Sequence, residues 1–305
     1  MTIRVGVSGW LYPGWRGVFY PPGLRHKDEL PYAAARFPTI EINGTHYSLK
    51  RPHSFQEWYD ATPPGFVLAV KGSRFITHMK RLKDLDTALP NFFAQGLLLL
   101  REKLGPLLWQ LGPHFALDEE RVDAFLAALP RDTAAALELA RRHDHRLEGR
   151  AHLEIDESRP LRHALEVRHE SFACARFAEL CRRRDVALVV SDAPGHPYAE
   201  DVTSSFVYVR LHGSQERYVS RYSDAELDRW ARRISTWSRG GEPEDAHRWG
   251  AQAPVAERRD VYVYLDNDFK AHAPEDARRL MARLFGPATL DEADRTPPHS
   301  PAAHG

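Results

Sequence analysis

Glu41, Glu166, Asp192 and His212 are the residues of this chain best suited to moving protons. Each closes or nearly closes a short apolar run, and a carboxyl or imidazole fixed at such a point serves as general acid or base once its surroundings tune its pKa. A second set could hold an anionic ligand: Lys71, Arg74, His78, Arg168 and Arg210, joined by Ser8, Asn43, Gln110, Asp266 and Asn267 and by the rings of Trp10 and Tyr12. Guanidinium forks grip carboxylate and phosphate in bidentate fashion. Lys50, Arg51, Lys80, Arg81 and Lys83 add basic character nearby, although the last three read equally well as a solvated surface run. The chemistry these types suggest is acid–base catalysis of the hydrolase or lyase/isomerase kind. Its substrate would be an anionic small molecule, with phosphorylated compounds and nucleotides in the class.

The elements that must position these residues show as a repeating pattern. Short apolar runs recur at Ile3–Ser8, Thr39–Asn43, Phe66–Lys71, Leu107–Leu111, His163–Arg168, Val186–Asp192, Phe206–His212 and Val261–Asp266. Their length and their wealth of Val, Ile, Leu, Phe and Tyr mark buried strands. Segments of helical period lie between them, among them Asp118–Leu129, Phe172–Arg184, Asp224–Trp237 and Pro274–Leu284. Asp118 ahead of Glu119 and Glu120, and Ser223 ahead of Asp224 and Glu226, are N-cap signals. Eightfold alternation of strand and helix predicts an α/β fold, a single-domain (β/α)8 TIM barrel over residues 1–287. A doubly wound sheet is the alternative, and it lacks its G-x-G-x-x-G fingerprint here. The charged stretch 141–161 reads as an insertion on the stability face, and 288–305, rich in proline and small residues, as a disordered tail.

Active sites of such barrels sit at the C-terminal strand ends. Strand side chains alternate faces, so Glu41 with Asn43, Glu166 with Arg168, and Arg210 with His212 point the same way. A charge turned toward the helix layer would be buried without partner or water, so these pairs are expected to face the barrel axis. Glu41, Glu166 and Arg210 lie deepest and read either as catalytic groups or as a buried structural ion network. For Lys71, Arg168, Asp192, His212 and Asp266 the ligand-facing role is the stronger expectation.

The same strand ends carry ordered motifs: SGWLYPGWRGVFYP (8–21), IEINGTHYSLKRP (40–52), VLAVKGSRFITH (67–78), LLWQLGPHF (107–115), LEVRHESF (165–172), VVSDAP (189–194), VYVRLHG (207–213) and VYLDND (263–268). In these the chain resembles the YecE-like family, a bacterial and archaeal domain of unknown function, across nearly its whole length. The resemblance implies a TIM barrel and implies no activity. Two positions depart from the family pattern: His46, where an aromatic residue is commoner, and Gly112, in place of the first of two prolines. Both fall in loops and bear on the shape of the substrate more than on the fold.

Other chemistries compete for the same residues. Glu166, Asp192, His212 and Asp266 could ligate Mn, Zn or Mg and make a metal-dependent phosphodiesterase or isomerase, against which Arg168 and Arg210 would repel the cation. Apart from such a divalent metal, no cofactor is indicated. A glycosidase needs two facing carboxyls, and only Glu41 with Glu166 could supply them. Schiff-base chemistry through Lys71 requires burial to lower its pKa, whereas Glu41 and Glu166 nearby would keep it charged. The aromatic segment Trp10, Tyr12, Trp15, Phe19 and Tyr20 either stacks on a ring-shaped ligand or anchors its loop, with Trp15 and Phe19 the natural anchors. With the basic residues it also admits a non-catalytic binder of single-stranded nucleic acid or nucleotide. His143–Asp144–His145 is expected to be surface, and Cys174 and Cys181 packed thiols.

The 305 residues are 43% hydrophobic and 28% charged, and 42 basic side chains balance 42 acidic ones. Zero net charge argues against a general electrostatic grip on nucleic acid or on an anionic membrane surface. Two cysteines, with neither zinc spacing nor a disulfide framework, suggest a reducing cytoplasmic setting. No apolar run approaches a membrane span, and oligomeric state is left open.

Overall fold

Parallel strands run around a ring in the computed structural model, which describes residues 2–213, 216 and 218–287. β1 (Ile3–Ser8) lies between β2 (Thr39–Ile42) and β9 (Asp260–Leu265). Beyond β2 the ring continues through β3 (Val67–Lys71), β4 (Leu104–Gln110), β5 (His163–Glu166) and β6 (Ala187–Leu188). On the other side of β9 it passes through β8 (Phe206–Leu211) to β7 (Val190–Ser191). β6 and β7 are two stretches of one extended segment. β6 pairs with β5 and β7 with β8, while Val189 between them still donates its N–H to the Leu165 carbonyl. The expected unbroken strand Val186–Asp192 is therefore divided, because its two halves serve different neighbours, and in dividing it bridges the ring into a barrel.

The helices lie between the strands: α1 (Glu29–Ala34), α2 (Gly44–Tyr47), α3 (Pro52–Asp60), α4 (Leu85–Ala94), α5 (Glu119–Ala128), α6 (Thr133–Ala140), α7 (Ala175–Arg183), α8 (Asp224–Ser238) and α9 (His272–Phe285). The α/β barrel expected from the alternation is the fold observed. Asp118 caps α5 by accepting from the Arg121 N–H at 3.1 Å. Ser223 and Glu226 form a reciprocal capping box at the start of α8. The stretch 141–161 packs beside α4: His152 N–H donates to the Ala94 carbonyl, and Asn91 and Asp144 bond each other. In His143–Asp144–His145, Asp144 is thus a turn-capping residue. Among the described residues no helix is long and apolar enough to cross a membrane. The expected tail at 288–305 lies outside the described residues.

Strand alternation builds two cores. Leu68, Val70, Leu107, Trp109 and Val263 face the helices, while Val67, Ala69, Leu108, Ala164, Val189, Phe206, Tyr208, Tyr262 and Tyr264 fill the barrel. Phenols can enter such an interior only if their hydroxyls are satisfied. Tyr264 bonds Thr39 Oγ1 at 2.8 Å, Tyr208 donates to Glu41 at 2.6 Å, and the Tyr262 oxygen accepts from Arg162. These residues make a solid plug beneath the strand ends, which forms the floor of the site. Gly6 makes room for it: a Cβ there would lie 1.9 Å from the Thr39 carbonyl oxygen. Backbone cannot yield as a side-chain tip can, so Gly6→Ala should cost about 1–3 kcal/mol by overpacking, read as a lowered denaturant midpoint. An unchanged midpoint would show that β1 and β2 separate freely.

Candidate active site at the barrel mouth

Arg210, near the end of β8, stands at the centre of the strand-end layer and is 1% exposed. Its Nε donates to Glu41 at 3.1 Å and its Nη2 reaches Glu41 at 2.9 Å and Asp266 at 2.8 Å. Its Nη1 donates to Glu166 at 2.7 Å and to His212 Nε2 at 2.9 Å. Glu41 also accepts from Ser8 at 2.6 Å and from Tyr208, and Glu166 from Gln110 at 2.9 Å and Arg168 Nε at 2.9 Å. Asn43 donates to Ser8 Oγ at 2.9 Å. Burial pushes both glutamates upward in pKa. For Glu41 the charges of Arg210 and Lys71 outweigh it, and for Glu166 those of Arg168 and Arg210, so both stay ionised. The deep ion network admitted by the sequence is present, with Arg210 as its hub.

His212 is spent differently from the expectation. Burial first, then the Arg210 charge, holds its pKa well below the usual imidazole range, so it is neutral. A neutral ring that accepts from Arg210 through Nε2 carries its proton on Nδ1, toward the Arg210 carbonyl at 3.3 Å. The one lone pair a base would use is occupied, so His212 positions Arg210 and is a poor proton acceptor. Asp192 keeps acid–base capacity. Its carboxylate accepts the His212 N–H at 2.7 Å and the Tyr222 hydroxyl, and burial raises its pKa to about 6. It also lines a cavity of about 380 Å³ with Tyr198, Arg229 and Trp230.

The metal alternative fails on its donor set. Arg210 contacts Glu166, Asp266 and His212, so a guanidinium holds the space that a cation shared by these groups would need. Asp192 is turned toward Tyr222. Among the described residues no group of three or more His, Cys, Asp or Glu side chains is arranged to hold a metal ion.

The remaining expected residues divide between mouth, rim and core. Lys71 ends β3 on the axis side, 9% exposed, and its ammonium makes no hydrogen bond or ion pair with any described residue. Burial, then the charge of Arg210, lowers its pKa, against the opposing pull of Glu41, Glu166 and Asp266. Arg168 spends Nε on Glu166, and its two terminal nitrogens make no hydrogen bond to a described residue, although Tyr218 acts on its charge. Lys71 and Arg168 both act on Glu166, His78 and His212. His78 is half-buried and bonded to Thr77 Oγ1 at 2.8 Å. Arg74 is exposed at the rim over the Tyr47 ring.

Two expected ligand contacts lie elsewhere. Asn267 turns outward, donating to the Ser220 carbonyl at 3.0 Å and to Asp276 at 2.9 Å, because it follows Asp266 on the opposite face. Trp10 is buried edge-on against Trp58 of α3. Trp15, buried, donates to the Asp268 carbonyl, and Phe19 packs on Tyr32 and Phe37, so these two anchor the loop after β1.

Three contributors lie outside the expected catalytic and ligand-binding set. Asp268, two residues beyond Asp266 and on the same side, has a buried Oδ1 with no partner. Burial and then the Asp266 charge raise its pKa to about 8, so it is protonated at neutral pH. Tyr222 holds Asp192 from a distant loop. His46, one of the two departures from the family pattern, bonds the Gly72 carbonyl through Nδ1 at 2.8 Å, and burial, then Lys71, drives its pKa down to about 3. The other departure meets it in space: His78 lies 5.3 Å from His46 ring to ring, and a Cβ on Gly112 would come within 3.0 Å of His78.

Comparison with known proteins places this geometry. Residues 4–301 match the family model described as "Protein of unknown function DUF72". The UPF0759 protein YunF of Bacillus subtilis (strain 168) is 26% identical over 125 residues, 39% of this chain and 43% of YunF, so the match spans less than half of that relative. A DUF72 family protein from Thermotoga maritima MSB8 superposes with a TM-score of 0.68 at 24% identity, covering 95% of this chain and 100% of that one. Another from Enterococcus faecalis V583 gives 0.63 at 17% identity, covering 93% and 95%. These likenesses carry the fold.

Proposed function

The chain belongs to the DUF72 family, and we propose that this member, YecE-like in its motifs, is an enzyme that performs proton-transfer chemistry on a small anionic molecule at the barrel mouth. One observation carries the reading: Lys71 and Arg168, which both act on Glu166 at the strand ends, have N–H groups that no described residue accepts. Buried cations are costly unless paired. The nearest carboxylates, Glu41 and Glu166, are already committed to Arg210. A carboxylate or phosphate on the ligand would supply what the protein withholds. Asp268, protonated up to about pH 8, is suited to donate a proton, and Asp192, near 6, to exchange one.

Inorganic phosphate or malonate, added during denaturant unfolding, tests this. Wild type should gain stability with ligand concentration, by about 2.7 kcal/mol at a hundredfold excess over Kd, and Arg168→Met should lose most of that gain. Equal stabilisation of both proteins would remove the reading.

A second reading has its own observation. Leu11, Tyr47, Met79 and Phe269 are exposed large apolar side chains on the loops of this face, and Arg74 and Lys270 lie over Tyr47 and Phe269. Such a rim suits bases of single-stranded nucleic acid. Oligonucleotide binding that weakens steeply with salt would favour it, and no binding at low salt would end it.

A further inference from the structure

We propose that Lys71 is a covalent site, whose ε-amine condenses with the carbonyl of a small oxo compound bearing a carboxylate or phosphate. The inference rests on the reading above, in that Arg168 holds the anionic group, and it goes beyond it in naming the reacting atom and the substrate class.

The contrast with the chain's other shielded lysine makes the case. Lys103 is also buried, but its Nζ donates to the Tyr59 carbonyl at 2.7 Å, the Thr62 carbonyl at 2.6 Å and Thr62 Oγ1 at 3.3 Å. That ammonium has all three protons placed and is structural. Lys71, 9% exposed against 5% for Lys103, has none placed on a protein acceptor. The expectation that Glu41 and Glu166 would keep it charged assumed free carboxylates. In fact Glu41 accepts from Ser8, Tyr208 and Arg210, and Glu166 from Gln110, Arg168 and Arg210. Those carboxylates are thus held by fixed donors and make no hydrogen bond with Lys71, while the positive charge of Arg210 opposes its protonation.

Arg210 opposes the protonation of Lys71; Glu41, Glu166 and Asp266 partly support it, and His46, His78 and His212 have lowered pKa values and add no positive charge at neutral pH. The net direction is down, so a larger fraction is free amine at neutral pH than for a lysine in water. A desolvated lysine beside another cation is the arrangement that makes an amine nucleophilic.

The step balances without an outside oxidant or reductant. The Nζ lone pair forms a bond to the carbonyl carbon, and the C=O π pair moves to oxygen, which takes one of the two Nζ protons, giving a neutral carbinolamine. The C–O bond then breaks, hydroxide leaves with a proton as water, and an iminium remains. Asp266 acts directly on the Lys71 charge, and its neighbour Asp268 carries a proton up to about pH 8 to give to the departing oxygen. An adjacent carboxylate or phosphate on the substrate would lie toward the free edge of Arg168.

Reductive trapping tests the proposal. The intact protein is incubated near pH 7 with cyanoborohydride and either pyruvate, an α-oxo acid, or glycolaldehyde phosphate, a phosphorylated aldehyde, and the adduct is mapped by peptide mass. A single adduct on Lys71 with either probe is expected, and which probe reacts tells carboxylate from phosphate. Lys103 should remain unmodified. Lys71→Arg and Lys71→Met should abolish the adduct. Arg168→Met should slow trapping of the anionic probe by about tenfold, the worth of one good contact, while leaving neutral glycolaldehyde unaffected. No Lys71 adduct with either probe, or labelling confined to other lysines such as Lys27 and Lys83 and equal in Lys71→Arg, overturns the proposal. Phosphate stabilisation that persists through Arg168 with Lys71 unmodified would sink the imine and leave the anion site standing. Loss of both would remove both.

Discussion

Arg210→Met should cost about 3–5 kcal/mol or prevent folding outright, the largest single-residue effect expected on stability. Removing this guanidinium strips Glu41, Glu166 and Asp266 of the donor they share. It also frees the lone pair of His212 and withdraws a donor from Ser8. Arg210→Lys should recover only part of the loss, because three ammonium protons on a flexible stem cannot reproduce a planar fork that meets five side chains. The deficit should depend on pH with a definite sign. In the wild type, Glu41 and Glu166 titrate below their ordinary 4.5, so they contribute stability that is present above that value and is lost as pH falls through their folded pKa values. In the variant the depression is weakened, with only Arg168 and Lys71 left to oppose burial, so the gap between the two proteins should narrow below about pH 4.5. Guanidinium unfolding across pH 3–8 measures this, and a variant within about 1 kcal/mol of wild type at pH 7 would show the network to be dispensable.

The fold and the deep layer were legible because one rule governs both. Alternation along a buried strand places Glu41 with Asn43 and Glu166 with Arg168 on one face, and the structure has each pair on the axis side, linked through Ser8 and directly. The same rule, carried past the end of β9, separates Asn267 from Asp266 and assigns Asp268 to the mouth. Choosing Asn267 set proximity above parity. Proximity also misplaces Trp10, which leaves the strand after Gly9 with its positive φ of 88° and turns toward α3. What no local pattern could reveal is contact between distant loops. Tyr222 finds Asp192 thirty residues away, and His46, His78 and Gly112 meet from three separate connections. Nor does sequence say which charges are already paired. Lys71, Arg168 and Arg210 are alike as letters. Only the hydrogen-bond ledger separates a saturated hub from cations with donors to spare.

That distinction makes Lys71→Met a test of whether the mouth is kept for function at the expense of stability. A largely buried ammonium that no protein acceptor meets is poorly solvated, and methionine fills nearly the same volume without a charge. The variant should therefore be more stable than wild type at pH 7, by about 1–3 kcal/mol, scaled from replacement of buried charges by apolar side chains. It should at the same time weaken phosphate-linked stabilisation and abolish reductive trapping, since a site that costs stability is one whose improvement costs activity. The sign with pH follows from linkage. The folded pKa of Lys71 lies below its ordinary 10.5, so the unfolded chain binds the proton more readily. The penalty is full below the folded pKa and is relieved as pH climbs from there toward 10.5, where the amine is neutral in both states. Stability of Lys71→Met minus that of wild type should thus be largest near neutrality and shrink on the alkaline side. If methionine destabilises the protein, or the difference stays flat with pH, then Lys71 is a structural cation with a partner after all, and both the anion site and its amine chemistry lose their footing.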